Sequence, residues 1–470
     1  MSPEFALEAA LVLAANGVKT YMYTSVRSTP QLSFSVRELG CVTGIVITAS
    51  HNPPEYNGYK VYGNDGGQLT TNDANAVITE VRSVDFADVK RMAQADAEAA
   101  GLLVWLDADI DNKFVDAVTS VSGAKQGLFQ VPADFKVVYT PLHGTGKLPM
   151  LAALQAIGVN NVHVVEAQAE PDGSFPTVKS PNPEEREAFT LAMQIGSDVD
   201  ADIIIGTDPD ADRMGAVVKD ASGEYVVLTG NQSGAILVNY LFERLQNTTG
   251  IPANAVLIKT IVTSEMGATV AAAYGVPTIN TLTGFKYIGE KMTQFAQDHS
   301  HTFVFGYEES YGYLAGDYAR DKDAIVAGML IAEAAAYYKT KSLSLADVLQ
   351  QLYVKHGFFL EALESRTLKG KDGVAKIQAI MSHFRTSAPA EVNGIAVKTL
   401  KDYAPGIDGL PKENVLKFFL EDGSWFCLRP SGTEPKIKVY FAVEGTSNQD
   451  AKDKVAGLIA AVMQEVDKFQ

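Results

Sequence analysis

Gly44-Ile45-Val46-Ile47-Thr48-Ala49-Ser50-His51-Asn52-Pro53-Pro54-Glu55-Tyr56-Asn57 reads as an apolar strand that breaks into a polar turn. The run Gly44–Ile47 has buried-strand character, and two prolines stop it from continuing. Ser50 is thereby displayed at a strand's carboxyl end, as a nucleophile would be. Ser, Asn and Pro are also turn formers, so by itself the segment fits an ordinary turn better than a site.

The pattern recurs. Asp202-Ile203-Ile204-Ile205-Gly206 leads into Asp208-Pro209-Asp210-Ala211-Asp212-Arg213, and Thr302-Phe303-Val304-Phe305-Gly306 leads into Glu308-Glu309-Ser310-Tyr311-Gly312. In open α/β sheets ligands lie beyond the carboxyl ends of the strands, so three such loops can converge on one cleft.

Outward from these loops, short β-branched runs alternate with amphipathic helices, the signature of α/β domains with parallel or mixed sheets. Turn chemistry divides the chain into units 1–130, 131–250 and 251–355, the last closing on an Ala-rich helix from Asp323. Residues 356–470 alternate strands with two helices and predict a smaller antiparallel α+β domain. The chain is expected to open on a helix, with Ser2 as N-cap and Pro3 at its first position.

With 470 residues, 46% hydrophobic and 20% charged, the chain is long enough for several domains, each with its own core. A net charge of -17 opposes nucleic acid phosphates. Cys41 and Cys427 are too few for a disulfide framework, and no apolar stretch reaches the roughly 20 residues of a membrane span. The N-terminus lacks signal-peptide character. A cytoplasmic enzyme with neither nucleic acid nor membrane partner is expected.

The chemistry lies in the loops. Asp208, Asp210 and Asp212 alternate, and in an extended segment their carboxylates fall on one side, gathering hard oxygens for a hard cation such as Mg2+. A calcium EF-hand is excluded, because Arg213 and Lys219 stand where that loop needs Gly and Glu. Arg429-Pro430-Ser431-Gly432-Thr433-Glu434-Pro435-Lys436 combines a guanidinium, hydroxyls and a glycine, the inventory of a phosphate nest. Glu308, Glu309 and Ser310 suit a polyol, with Tyr307 and Tyr311 available to flank a sugar ring. Thr140-Pro141-Leu142-His143-Gly144-Thr145-Gly146, Lys60 and Lys286 are further polar features, and lone lysines are ordinarily surface charges.

A strand-end serine, a DxDxD cation loop, a sugar-like loop and a terminal phosphate nest, in that order, resemble the α-D-phosphohexomutase family. Phe175-Pro-Thr-Val and Asn182-Pro-Glu look like family segments too. The resemblance is closest to its glucose-type phosphoglucomutase and phosphopentomutase branch, because Gly312-Tyr313 stand where the dual mannose/glucose enzymes carry Gly-His. It implies four domains round a central cleft: a phosphoserine domain (1–130), a metal-binding domain (131–250), a sugar-binding domain (251–355) and a phosphate-binding domain (356–470). Mg2+ would be held by Ser50, Asp208, Asp210 and Asp212, with glucose 1,6-bisphosphate as intermediate and activator. Ser50, His51, Lys60 and Arg213 would serve catalysis. Lys286, Glu308, Ser310, Arg429, Ser431, Gly432, Thr433 and Lys438 would bind the phosphorylated sugar. The implied reaction interconverts glucose 1-phosphate and glucose 6-phosphate in a monomer or homodimer.

The family's usual upstream strand and Gly-Thr-Ser/Ala-Gly-x-Arg segment are missing before Ser50, so an N-terminally truncated first domain is expected. Alternative readings are a catalytically defective relative that binds sugar phosphates and an active phosphopentomutase or phosphomannomutase. A serine hydrolase built on Ser50 and His51 is disfavoured, because the chain has no Gly-x-Ser-x-Gly elbow.

Overall fold

The computed structural model describes residues 1–368, 372–431 and 435–469. Apolar β-branched runs form strands where expected and build sheets of two kinds. In the second unit the order is Asn161–Val164, Lys136–Thr140, Ile203–Thr207, Met214–Lys219, Tyr225–Val227, parallel over the first three and antiparallel over the rest. The third unit repeats the plan with Thr278–Thr281, Ala255–Thr260, Thr302–Glu308 and Gly312–Ala315, the last again antiparallel. The C-terminal sheet is six-stranded and antiparallel, with helices Gly373–Thr386 and Asn448–Val466 packed against it.

The first unit departs from this plan. Thr20–Tyr23 pairs in parallel with Leu103–Leu106, Thr43–Ile47 pairs antiparallel with Tyr59–Gly63, and the two pairs remain separate sheets. Helix Ser2–Ala15 packs against both. Its N-cap is Met1 rather than Ser2, whose hydroxyl instead accepts from Asn57 Nδ2 at 3.2 Å.

Each of the three polar loops joins an apolar strand to an antiparallel return strand. Each also holds a non-glycine residue in the left-handed region: Ser50 (φ 54°), Ala211 (φ 52°) and Tyr311 (φ 63°). Such conformations are uncommon for these residues and are stored where surrounding packing over-determines them.

That packing is a single apolar core shared by the first three units. Its centre is helix Ala324–Lys339, buried almost throughout. Asp323 caps it by accepting the Ile325 and Val326 N–H groups at 2.7 and 3.4 Å, and alanine's high helix propensity carries it on. Close approach needs small residues: a Cβ on Gly328 would lie 2.3 Å from Met150 Cε. The helix start meets the aspartate loop directly, Ala324 N–H donating to Ala211 O at 3.1 Å. The C-terminal unit has its own core and meets the third through Ile261, Tyr287, Trp425 and Cys427.

Candidate active site

Ser50 occupies the turn after Thr43–Ile47, its N–H donating to Thr48 Oγ1 at 2.9 Å. The strained backbone turns its hydroxyl toward the second unit, where Oγ donates to Asp208 Oδ2 at 2.8 Å. His51 Nδ1 lies 3.0 Å from the same Oγ. Burial, reinforced by Arg213, pushes the His51 imidazole down to about 4, so it is neutral at neutral pH.

The three aspartates converge, but not by strand alternation. Residues 208–212 form a tight turn in which Ala211 N–H donates to Asp208 O at 2.9 Å. Asp208 Oδ1 accepts the Asp212 and Arg213 N–H groups at 3.0 and 2.9 Å. One carboxylate oxygen from each aspartate can then lie within 4.8 Å of the others, all three side chains being buried. The Thr140–Gly146 loop buttresses this turn: Thr145 donates its N–H and hydroxyl to Pro209 O at 2.8 and 3.0 Å. A Cβ on Gly144 would lie 2.3 Å from Pro209 Cα, which explains the glycine there. From the first unit, Thr29 Oγ1 donates to Asp210 Oδ2 at 3.0 Å and Thr29 N–H to Asp210 O at 2.9 Å.

Three cationic side chains face the carboxylates. Lys60 Nζ lies 3.3 Å from Asp210 and 3.5 Å from Asp212, Lys322 Nζ is 2.8 Å from Asp212, and Arg213 pairs with Glu184 at 2.6 Å. Burial, with Asp210 and Asp212 beside it, drives the Asp208 carboxyl well above the usual carboxylate range. Burial also raises Asp212, but Lys322, Lys60 and Arg213 outweigh it and hold that carboxyl below the usual range. Asp210 Oδ1 and Asp212 Oδ1 are buried and have no hydrogen-bond partner among the described residues. Spare buried carboxylate oxygens within a few ångströms of one another fit a hard divalent cation.

Glu308 is the last residue of its strand rather than part of the loop, and its Oε1 accepts the Gly284 N–H at 2.8 Å. Burial and Glu309 push its carboxyl up to about 7 against the pull of Lys322 and Arg213. Lys286 stands at the start of helix Phe285–Asp298, half-buried, its ammonium 5.1 Å from the Tyr287 ring centroid. Ser310 is half-buried in the turn. Tyr307 cannot flank a ligand: its ring is 0% exposed and stacks with Phe305 and Tyr313, because the side chain falls on the core face of its strand. Tyr311 is also buried.

In the C-terminal sheet Arg429 and Lys438 are cross-strand partners, both half-buried, and Ser431 N–H donates to Lys436 O at 2.7 Å. Burial, then Lys436, holds the Lys438 amine below its ordinary value, while Glu309 of the third unit's loop pulls it up. Gly432 and Thr433 lie outside the described residues.

Sequence pattern does not single out Thr29 or Lys322, and it offers Glu184 only within Asn182-Pro-Glu. Thr29 was masked by Ser28-Thr29-Pro30, which reads as a helix start and is one, Ser28 Oγ accepting the Gln31 N–H. Lys322 had a signal: Arg320-Asp321-Lys322-Asp323 is a charge run that abuts an almost entirely buried helix.

Comparison with known proteins follows the same order along the chain. Four profiles match: Phosphoglucomutase/phosphomannomutase alpha/beta/alpha domain I over 1–88, domain II over 112–223, domain III over 229–356 and the C-terminal domain over 368–462. A phosphoglucomutase of Staphylococcus epidermidis is 38% identical over 455 residues, 94% of this chain and 81% of that protein. Among solved structures, the Paramecium phosphoglucomutase pp63/parafusin in its open form matches with a TM-score of 0.73 at 18% identity, over 100% of this chain and 86% of that one. An Aspergillus fumigatus N-acetylphosphoglucosamine mutase, solved with GlcNAc-6P and magnesium, matches with a TM-score of 0.56 at 14% identity, over 99% of this chain and 94% of that one. Both share the fold.

Proposed function

The chain belongs to the phosphoglucomutase/phosphomannomutase family, and from that premise we propose that it interconverts glucose 1-phosphate and glucose 6-phosphate with Ser50 as the phosphoryl carrier. The observation that carries this reading is the 2.8 Å hydrogen bond from Ser50 Oγ to Asp208, which joins the nucleophile of one unit to the cation loop of another. Phosphoryl transfer depends chiefly on positioning and charge neutralisation, and these loops supply both.

In this reading Ser50 carries the phosphoryl group and passes it to the free hydroxyl of a hexose monophosphate. The resulting bisphosphate turns over and returns its other phosphate to Ser50. His51, neutral and 3.0 Å from Oγ, can take or return the proton. Asp208, Asp210, Asp212 and the Ser50 phosphate would hold Mg2+, which when bound spreads the negative charge of the transferring group. Lys60 and Arg213 reinforce that neutralisation. Glu308 and Ser310 bind sugar hydroxyls, Lys286 contacts substrate, and Arg429, Ser431 and Lys438, with Gly432 and Thr433, hold the distal phosphate. Segments 1–130, 131–250, 251–355 and 356–470 accordingly serve the phosphoserine, metal, sugar and phosphate.

The test supplies glucose 1-phosphate, Mg2+ and a trace of glucose 1,6-bisphosphate, and follows glucose 6-phosphate with a coupled dehydrogenase. Ser50→Ala is expected to lower kcat by roughly four orders of magnitude, since it removes the hydroxyl that carries the phosphoryl group in this reading. Folded protein that binds glucose 1-phosphate without converting it would refute the proposal.

A further inference from the structure

Lys60 and Lys322 come from different units yet approach the same atom, Asp212 Oδ2, at 3.5 and 2.8 Å. Two ammonium groups that close repel each other, so each needs a support of its own. Lys60 lies on strand Tyr59–Gly63 with Tyr62 two residues along on the same face. The Tyr62 hydroxyl donates to Asp321 Oδ2 at 2.7 Å, with both residues buried. Asp321 immediately precedes Lys322; its Oδ1 accepts the Lys322 backbone N–H at 2.9 Å and lies 3.7 Å from the Lys322 ammonium. A second tie runs alongside, where Arg320 N–H donates to Ser33 Oγ at 2.8 Å and Ser33 Oγ donates to Gly66 O at 2.6 Å.

We propose that the Tyr62–Asp321 hydrogen bond is a positioning device for phosphoryl transfer: it sets the separation of the Lys60 and Lys322 ammonium groups about Asp212, and so the positive charge that faces the metal-binding carboxylates. This rests on the mutase reading above. One hydroxyl links the two backbones that carry the lysines, two residues from Lys60 on one side and one residue from Lys322 on the other. Both Asp321 oxygens accept hydrogen bonds, which holds the carboxylate at its 3.7 Å approach to the Lys322 ammonium and keeps it from turning further toward either lysine. Without the hydroxyl, Asp321 is free to swing and draw the ammonium groups back from Asp212.

A purely structural bond would behave differently. Removing it would loosen the interface and weaken metal binding, turnover and stability together. Release of the lysines instead slows transfer while strengthening cation binding, because less positive charge then opposes the cation.

The experiment measures kcat, KM for glucose 1-phosphate, thermal midpoint and Mn2+ affinity by electron paramagnetic resonance in wild type and Tyr62→Phe. Expected are a kcat lower by about tenfold with KM within about twofold, and an Mn2+ dissociation constant smaller by about threefold. Asp321→Asn provides the second variant: adding Tyr62→Phe to it should lower kcat no further. Unchanged Mn2+ affinity in Tyr62→Phe, or a parallel loss of metal affinity, kcat and thermal midpoint, would overturn the proposal. A wild-type protein with no mutase turnover would refute the proposed function, while the Mn2+ titration would still decide whether Tyr62 governs the cation site.

Discussion

Two of the molecule's clusters of buried charge differ in how far their polar atoms are paired. Around Asp208, Asp210 and Asp212 carboxylates and cations crowd together, yet Asp210 Oδ1 and Asp212 Oδ1 keep no hydrogen-bond partner among the described residues. Between the third and fourth units, Lys259, Glu265 and Lys417 are comparably crowded. There Lys259 Nζ donates to Thr260 O, Thr263 O and Glu265 Oε1 at 3.5, 3.1 and 3.1 Å. Lys417 Nζ donates to Ile261 O at 2.6 Å and lies 3.8 Å from the Trp425 ring centroid. The second cluster fills its lysines' donors with carbonyls, a carboxylate and an aromatic face, so it holds two units together. Buried charge by itself does not mark a site; spare acceptors beside a nucleophile do.

The largest expected contrast comes from neutralising one carboxylate in each cluster. Asp212→Asn should lower kcat by about a thousandfold and weaken Mn2+ binding while the fold persists, since it removes one proposed cation ligand and the shared partner of two lysines. Glu265→Gln should leave kcat within about twofold but lower unfolding free energy by about 1–2 kcal/mol, measured by urea denaturation. The effect falls below that of a fully buried pair because the Glu265 side chain is 38% exposed and water screens it. Equal losses of turnover in the two variants would break the comparison.

A smaller effect sharpens it. Burial, then Lys259, pushes the Lys417 amine from 10.5 down to about 7, with Glu265 and Cys427 pulling the other way. Between those values the folded chain holds the neutral amine while the unfolded chain binds the proton. The unfolded state then carries more protons, so this group's contribution to stability rises with pH from about 7 toward 10.5. Wild type should therefore gain stability relative to Lys417→Met between pH 7 and pH 9, read from paired urea titrations. Parallel slopes would remove Lys417 from the linkage.

Much of this was legible in the chain because strand-end loops are local. The apolar runs before Ser50, Asp208 and Glu308 predict strands, and the loops that follow carry the residue types on which the proposed chemistry rests. Periodicity could not tell that the aspartates meet through a left-handed turn at Ala211, because alternation in an extended segment and a tight turn place the same residue types at the same spacing. Nor could it assign Tyr307 to the core, since an aromatic beside a polar loop reads the same facing inward or outward. The separation of the first unit into two small sheets was equally invisible, because it depends on which edges find partners.

By itself, the sequence determined the α/β class, the order of the loops and which residue types could serve as nucleophile, cation ligands and phosphate grip. These follow from local patterning and from chemistry that each side chain carries wherever it sits. Only the tertiary structure decided which charges share a site. Thr29, Lys60, Glu184 and Lys322 come from distant parts of the chain and acquire their partners when the units close on one core. Burial there lowers the local dielectric, so a few ångströms separate a structural ion pair from a group poised to move phosphate.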